Sequence, residues 1–170
     1  MTYFMQFDSS GAYTGCGIAL HGTLPAGAVE CTQAQYAGGN LWALKNGIIT
    51  AISAPAPTLA QQATAAIGAG LTITLSGTMT LAATLFPTDP ATTAKIGAVV
   101  TAINADGTFP GGATSFPMKD ATGAWHTFNA SQYKAVAGGI AAYVAALNLI
   151  IDGNPLGATS LPANAVALTV

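Results

Sequence analysis

The chain has very few ionic side chains, and this limits how it can exist once folded. Only 6% of its 170 residues are charged, with four lysines, no arginine and six acids, against about 25% in an average soluble domain. The formal net charge is −2 and the mean hydropathy is +0.51. A solitary soluble protein usually covers its surface with interspersed charges. We therefore expect a surface of small polar and apolar residues that is buried against other subunits. The alternative is a neutral, Ala-rich protein from a compositionally biased organism.

The composition also argues against several partners. Nucleic acid binding relies on Lys and Arg to neutralise phosphates, and the sequence has no basic cluster. The segment 135–151 is uncharged, but it is shorter than the roughly 20 apolar residues that a membrane span needs. It is also rich in Ala and Gly. We therefore expect a buried helix and no membrane insertion. The first residues lack the basic start and apolar core of a signal peptide, which predicts synthesis in the cytoplasm.

Residues 1–54 are predicted to form a small, strand-rich module. The strand candidates, identified by alternation and flanking turn residues, are Thr2–Phe7, residues 17–21 and Ala28–Cys31. Thr32 and Gln35 have the spacing of a helix capping box, and the short helix should end at residues 38–39. Asn46-Gly47 between two apolar runs is a strong hairpin signal. The prolines in residues 55–57 then indicate a stiff linker.

Residues 58–170 are predicted to form the larger domain. Its helix starts are Thr58 with Gln61, Asp89 before Pro90, and Asn129 with Gln132. The predicted hairpins pair residues 71–75 with 78–81, and 116–119 with 125–128. The longest helix has an apolar stripe, Val136, Ile140, Val144, Leu147 and Ile151, and should stop at residues 152–155. Residues 161–170 alternate as a final strand. The predicted fold class is α+β, with short antiparallel strands and hairpins packed with two main Ala-rich helices and a strand-like segment at the end.

The predicted strands leave sheet edges that must be satisfied. Edges are normally protected by lysines or prolines, and few charges are present here. Pairing with another subunit would satisfy them, so we expect a homo-oligomer.

Both parts of the chain resemble bacteriophage tail-fibre and tail-fibre-associated proteins. In residues 58–170 the matching features are the strand at 71–75, the helix begun by Asp89, and residues 118–133, which read as strand, Asp-containing turn, strand and capped helix. In residues 1–54 they are the aromatic strand and its turn, the Pro-Ala-Gly-Ala-Val-Glu segment ending at Glu30, the short helix with Tyr36, and the Asn46-Gly47 hairpin. The resemblance implies an uncharacterised domain common in phage tail proteins, with no catalytic residue to transfer.

No catalytic or metal-binding motif is recognisable. Cys16, Cys31, His21 and His126 could supply a nucleophile and base or four zinc ligands, but no two have the short spacing typical of such ligands. Two cysteines do not make a disulfide framework, and we expect buried free thiols unless the two segments pair as neighbouring strands. Every acid except Glu30 falls at a turn or helix cap, so the paired carboxylates of a glycosidase are not indicated. We predict a protein that is not an enzyme and uses no cofactor or metal.

Four aromatic residues are candidate contact residues: Trp42, Trp125, Tyr133 and Tyr143. They could form a sugar-stacking platform, but aromatic side chains are also the commonest large residues of cores and interfaces. We favour a core or interface role. His126, next to Trp125, is expected to be a hydrogen-bonded strand residue and not a base.

These observations predict a structural or adaptor component of a bacteriophage tail, in the fibre or baseplate region. Such a protein would be made in the host cytoplasm, remain in the virion and work through contacts with other tail proteins. Two alternatives stay open. One is a cytoplasmic tail-fibre assembly chaperone, and the other is a receptor module that binds a host glycan through the aromatic residues.

Overall fold

The computed structural model describes residues 1–20, 23–153 and 156–170. The chain forms two compact units, Met1–Ala56 and Pro57–Val170, whose junction lies within the proline-containing residues 55–57. Both units combine helices with small sheets, so the fold class is α+β.

The described residues of the first unit form short strands and one short α-helix. Its elements are β1 (Thr2–Phe7), β2 (Tyr13–Ala19), β3 (Ala28–Cys31), α1 (Gln33–Gly38), β4 (Trp42–Lys45) and β5 (Ile48–Ala51). β1 lies between β2 and β3 in an antiparallel sheet, and β4 pairs with β5 as a hairpin. Both halves of the predicted capping box form, because Thr32 Oγ1 accepts from Gln35 N–H while Gln35 Oε1 accepts from Thr32 N–H. The predicted strand at 17–21 begins earlier, at Tyr13, and its last residue, His21, lies outside the described residues.

The first unit has little core of its own. Of its described residues, only Met5 and Ala19 are buried hydrophobics. A small unit buries a low fraction of its surface even when it is well packed, so this unit has little apolar burial to offset the entropy lost on folding.

The described residues of the second unit form three long helices and two sheets. Its elements are α2 (Leu59–Ala69), β6 (Leu71–Ser76), β7 (Leu81–Phe86), α3 (Pro90–Asp106), β8 (Ser115–Lys119), β9 (Trp125–Asn129), α4 (Ala130–Ile151) and β10 (Ala165–Thr169). One sheet has the order β10-β6-β7, and β8-β9 is a separate hairpin. The three predicted helix starts are confirmed: Thr58 and Asn129 form complete capping boxes, and Asp89 caps α3 with Pro90 in its first turn. The predicted end of α4 is observed at Asp152, while residues 154–155 lie outside the described residues.

One predicted strand was placed wrongly. The partner of β6 is Leu81–Phe86 and not residues 78–81. Thr78 instead donates its backbone N–H to the carbonyl oxygen of Val170 at 2.7 Å, so it is held by a distant segment. The ladder between β6 and β7 begins only at the pair Leu75–Leu81.

The final strand pairs in a direction that the sequence does not reveal. β10 runs parallel to β6, from the pair Ala165–Thr72 to the pair Thr169–Ser76. Parallel neighbours need a long crossover connection, and here the intervening chain includes α3, the β8-β9 hairpin and α4.

Helix α4 is the centre of the second unit. Val136, Ile140 and Leu147 of the predicted stripe are buried, whereas Val144 and Ile151 are only partly buried and Tyr143 and Ile150 complete the inward face. Gly139 lies against the β10 side chains Val166 and Leu168, where an added Cβ would be 3.6 Å and 3.4 Å from them. Among the described residues α4 is the helix whose length and composition would also permit a membrane span. Its buried side chains belong to the hydrophobic core of the unit.

Candidate binding cleft beside the β8-β9 hairpin

The turn of the β8-β9 hairpin is built around Asp120. Its Oδ1 accepts hydrogen bonds from Thr122 N–H at 2.8 Å, Thr122 Oγ1–H at 2.7 Å and Ala124 N–H at 2.9 Å. Asp favours such turns because its short carboxylate reaches the backbone two residues further on. The turn fixes the register of the hairpin, in which Lys119 lies opposite Trp125 and Met118 opposite His126.

Asp120 also binds His126, so both of its oxygens are occupied. The His126 Nε2 atom lies 2.8 Å from Asp120 Oδ2, and the imidazole ring packs edge-on against Phe86. His126 is therefore a hydrogen-bonded strand residue, as predicted. The hydrogen bonds from His126 and then from Thr122 hold the pKa of Asp120 well below its ordinary value of 3.8. Asp120 is consequently a buried, fully hydrogen-bonded anion and not a free general base.

Between α3 and this hairpin lies a cleft with a volume of about 350 Å³. Its wall includes Lys95 and Thr92 from α3, and Pro117, Lys119 and Trp125 from the hairpin. The Lys119 Nζ atom lies 5.3 Å from the centroid of the Trp125 ring, which is within the range of a cation–π interaction. The Trp125 side chain is 64% exposed, so the hairpin presents an aromatic ring and an ammonium group together at the surface.

The floor of the cleft is apolar and well packed. It is formed by Ile96, Met118 and Tyr133, all of which are buried in the core of the second unit. Burial raises the pKa of Tyr133, which keeps its phenol neutral at physiological pH. The cleft therefore has a buried apolar base, with the exposed Lys95 and Lys119 among its polar lining, and small-ligand pockets commonly combine these two features.

The four predicted contact residues do not share one surface. Trp125 and Tyr133 line the cleft, but Tyr133 belongs to its buried floor. Tyr143 is buried on α4, beside a separate groove of about 610 Å³ between α4 and β10. Trp42 belongs to the first unit and is half-buried, and its Nε1–H has no hydrogen-bond partner among the described residues. A stacking platform formed by all four is not supported, because both tyrosines are buried.

The cysteines are free, but the expectation that both are buried was wrong. Cys16 is exposed because it lies on the outward face of the edge strand β2, and Cys31 is partly buried on β3. The two strands flank β1 and are not neighbours. Burial, followed by the nearby Cys16, raises the pKa of the Cys31 thiol, which disfavours the thiolate that a nucleophile or metal ligand requires.

A metal centre is not indicated in the part of the chain that the structure describes. No group of three or more His, Cys, Asp or Glu side chains comes together there. The fourth member of the candidate ligand set, His21, lies outside the described residues.

Comparisons with known proteins give no match. No known protein family matches the chain, and no curated protein or solved structure is significantly similar to it.

Sequence reasoning missed the two lysines of the cleft. The pairing of Lys119 with Trp125 follows from the hairpin that was predicted around Asp120, so their proximity could have been inferred. The approach of Lys95 depends on how α3 packs against the hairpin, and no local signal in the sequence gives that contact.

Proposed function

We propose that the protein is a structural or adaptor component of a bacteriophage tail and that it works through protein–protein contacts. The phage assignment is supported by the resemblance described above, in residues that form the capped helices and the two tight hairpins. The assembly role is supported by the surface of the molecule.

The observation on which the assembly role depends is the distribution of apolar side chains in the first unit. Only two hydrophobic residues are buried among the described residues of this unit, while six large ones are at least 40% exposed: Met1, Ile18, Leu20, Leu41, Ile48 and Ile52. Exposed apolar side chains leave water when a partner subunit covers them, so association would add the apolar burial that this unit lacks. With so few charges in the chain, little electrostatic repulsion opposes association.

The edge of the second unit's larger sheet supports the same role. β10 has β6 on one side and is the end strand of its sheet. None of its residues is charged, and Ala165, Ala167 and Thr169 are exposed. An uncharged edge strand is a template for pairing with another chain.

Light scattering after size-exclusion chromatography tests the assembly role on the full chain. We expect an oligomer that dissociates when the double substitution Leu41→Lys and Ile48→Lys places charge on the exposed apolar surface. Leu156→Lys is the matched control, since Leu156 is 79% exposed but belongs to the second unit, and it should leave the oligomer intact. A monomeric wild-type chain, stable in dilute solution, would contradict the assembly role.

Mass spectrometry of purified virions tests whether the protein is part of the phage particle. A structural tail component should be present in a fixed ratio to other tail proteins. An assembly chaperone should be found in the infected cell but not in the purified particle, and that result would replace the proposal with the chaperone alternative.

A further inference from the structure

We propose that the cleft between α3 and the β8-β9 hairpin binds a carboxylated sugar ring, with Trp125 stacking on the ring and Lys95 and Lys119 binding the carboxylate. This surface differs from the apolar side chains of the first unit on which the assembly role depends.

The position of the positive charges is the first argument. The chain has four lysines and no arginine, and two of the four line this one cleft. In a protein with so few charges, the placement of two cations at the rim of a single small cleft favours an anionic ligand. The number is too small for a nucleic acid, whose binding involves many phosphate contacts.

The exposed tryptophan favours a ligand with a flat apolar face. An indole ring that is 64% exposed offers a flat apolar face with a negative π surface. The axial C–H groups of a pyranose ring are weakly positive and lie in one plane, so they pack on such a face. The Lys119 ammonium group lies over one face of this ring, so the sugar would stack on the opposite face and its carboxylate would reach Lys119 past the edge of the ring.

The size and charge of the cleft further limit the ligands that it could bind. A volume of about 350 Å³ is near the lower limit for ligand pockets and suits one or two sugar rings. Asp120 is the only acid that lines the cleft among the described residues, and its oxygens are held by Thr122, Ala124 and His126. Two lysines against one fully hydrogen-bonded aspartate leave an excess of cationic side chains in the cleft lining, which suits a ligand with one carboxylate.

Isothermal titration calorimetry of the full chain with trigalacturonate tests the proposal. We expect binding that weakens about tenfold in Trp125→Ala and about two- to fivefold in each of Lys95→Gln and Lys119→Gln. Lys45→Gln removes the same charge outside the cleft and should bind as wild type does. Maltotriose, which has the same number of rings and no carboxylate, should bind much more weakly. Circular dichroism checks that each variant is folded.

Fluorescence provides an independent measurement. In Trp42→Phe the only indole is Trp125, so a sugar that stacks on it should change the emission intensity, and the change should saturate at the concentrations found by calorimetry. Absence of trigalacturonate binding would overturn the proposal, as would binding that is insensitive to Trp125→Ala or binding of maltotriose with equal affinity. A triglutamate peptide that binds as tightly as trigalacturonate would also overturn it and would indicate an acidic protein partner.

Discussion

Gly77 is the position at which a single methyl group should detach the last strand from its sheet. Gly77 has φ of +101°, and a Cβ built on it would overlap the carbonyl oxygen of Val170. That oxygen accepts the Thr78 N–H at 2.7 Å, and the Val170 N–H donates to Ser76 O at 2.9 Å. The substitution Gly77→Ala therefore acts on the hydrogen bonds that hold the end of β10 against β6.

The cost can be estimated from two contributions. An L-residue forced into the left-handed region costs about 1–2 kcal/mol, and loss of the hydrogen bond between Thr78 and Val170 adds about 1 kcal/mol. We expect Gly77→Ala to lower the free energy of unfolding by about 2–3 kcal/mol. For a unit of this size each kcal/mol corresponds to about 4 °C in Tm.

Gly123→Ala is the matched control. Gly123 has φ of +95°, but a Cβ there would meet only Lys119 Cε at 3.6 Å, so it should lose about 1–2 kcal/mol from the backbone alone. Thermal unfolding followed by circular dichroism gives both values, and hydrogen exchange of the β10 amides should accelerate in Gly77→Ala only. Equal losses in the two variants, with β10 equally protected, would refute the reasoning that Gly77 is required by the approach of Val170.

Two further predictions concern the core and the hairpin turn of the second unit. Leu147→Ala, at a fully buried position of α4, should lower the free energy of unfolding measured in urea by about 2–5 kcal/mol. Leu149→Ala, at a position of the same helix that is 40% exposed, should lower it far less. Similar losses of stability in the two variants would show that α4 does not face inward as described. Because the pKa of Asp120 is lowered by its bonds from His126 and Thr122, the stabilisation from this carboxylate is complete above its ordinary pKa of 3.8 and is lost as the pH falls below that value. The Tm of the wild-type protein should therefore fall more steeply than that of Asp120→Asn between about pH 5 and pH 2, and parallel pH profiles would contradict the assignment.

The elements that the sequence predicts well are those fixed by chemistry between near neighbours. Thr32 and Asn129 begin helices because each caps a backbone N–H three residues away and receives a glutamine side chain in return. Asn46 and Gly47 form a tight hairpin turn with φ of +52° and +80°, which that residue pair adopts at low cost.

The elements that the sequence predicts poorly depend on distant contacts. Residues 78–81 do not pair with β6 because Thr78 is bound to Val170, and the parallel pairing of β10 with β6 joins segments separated by about half of the chain. Alternation identifies a strand but gives neither its partner nor its direction. For the same reason the hairpin places Lys119 beside Trp125 predictably, whereas Lys95 reaches the cleft only through the packing of α3.

The scarcity of charged residues makes the position of each one informative. Asp8, Asp89 and Asp120 all accept backbone hydrogen bonds within their own turns or caps, so these acids are used to form local structure. The lysines form no such hydrogen bonds in the described structure; Lys119 lies over the Trp125 ring, and Lys95 and Lys119 border one cleft. If association depends on exposed apolar side chains of the first unit and ligand binding depends on Lys95 and Lys119, the two properties should separate. Glutamine at both lysines should abolish the preference for trigalacturonate over maltotriose and leave the oligomer unchanged, because neither substitution alters an apolar contact.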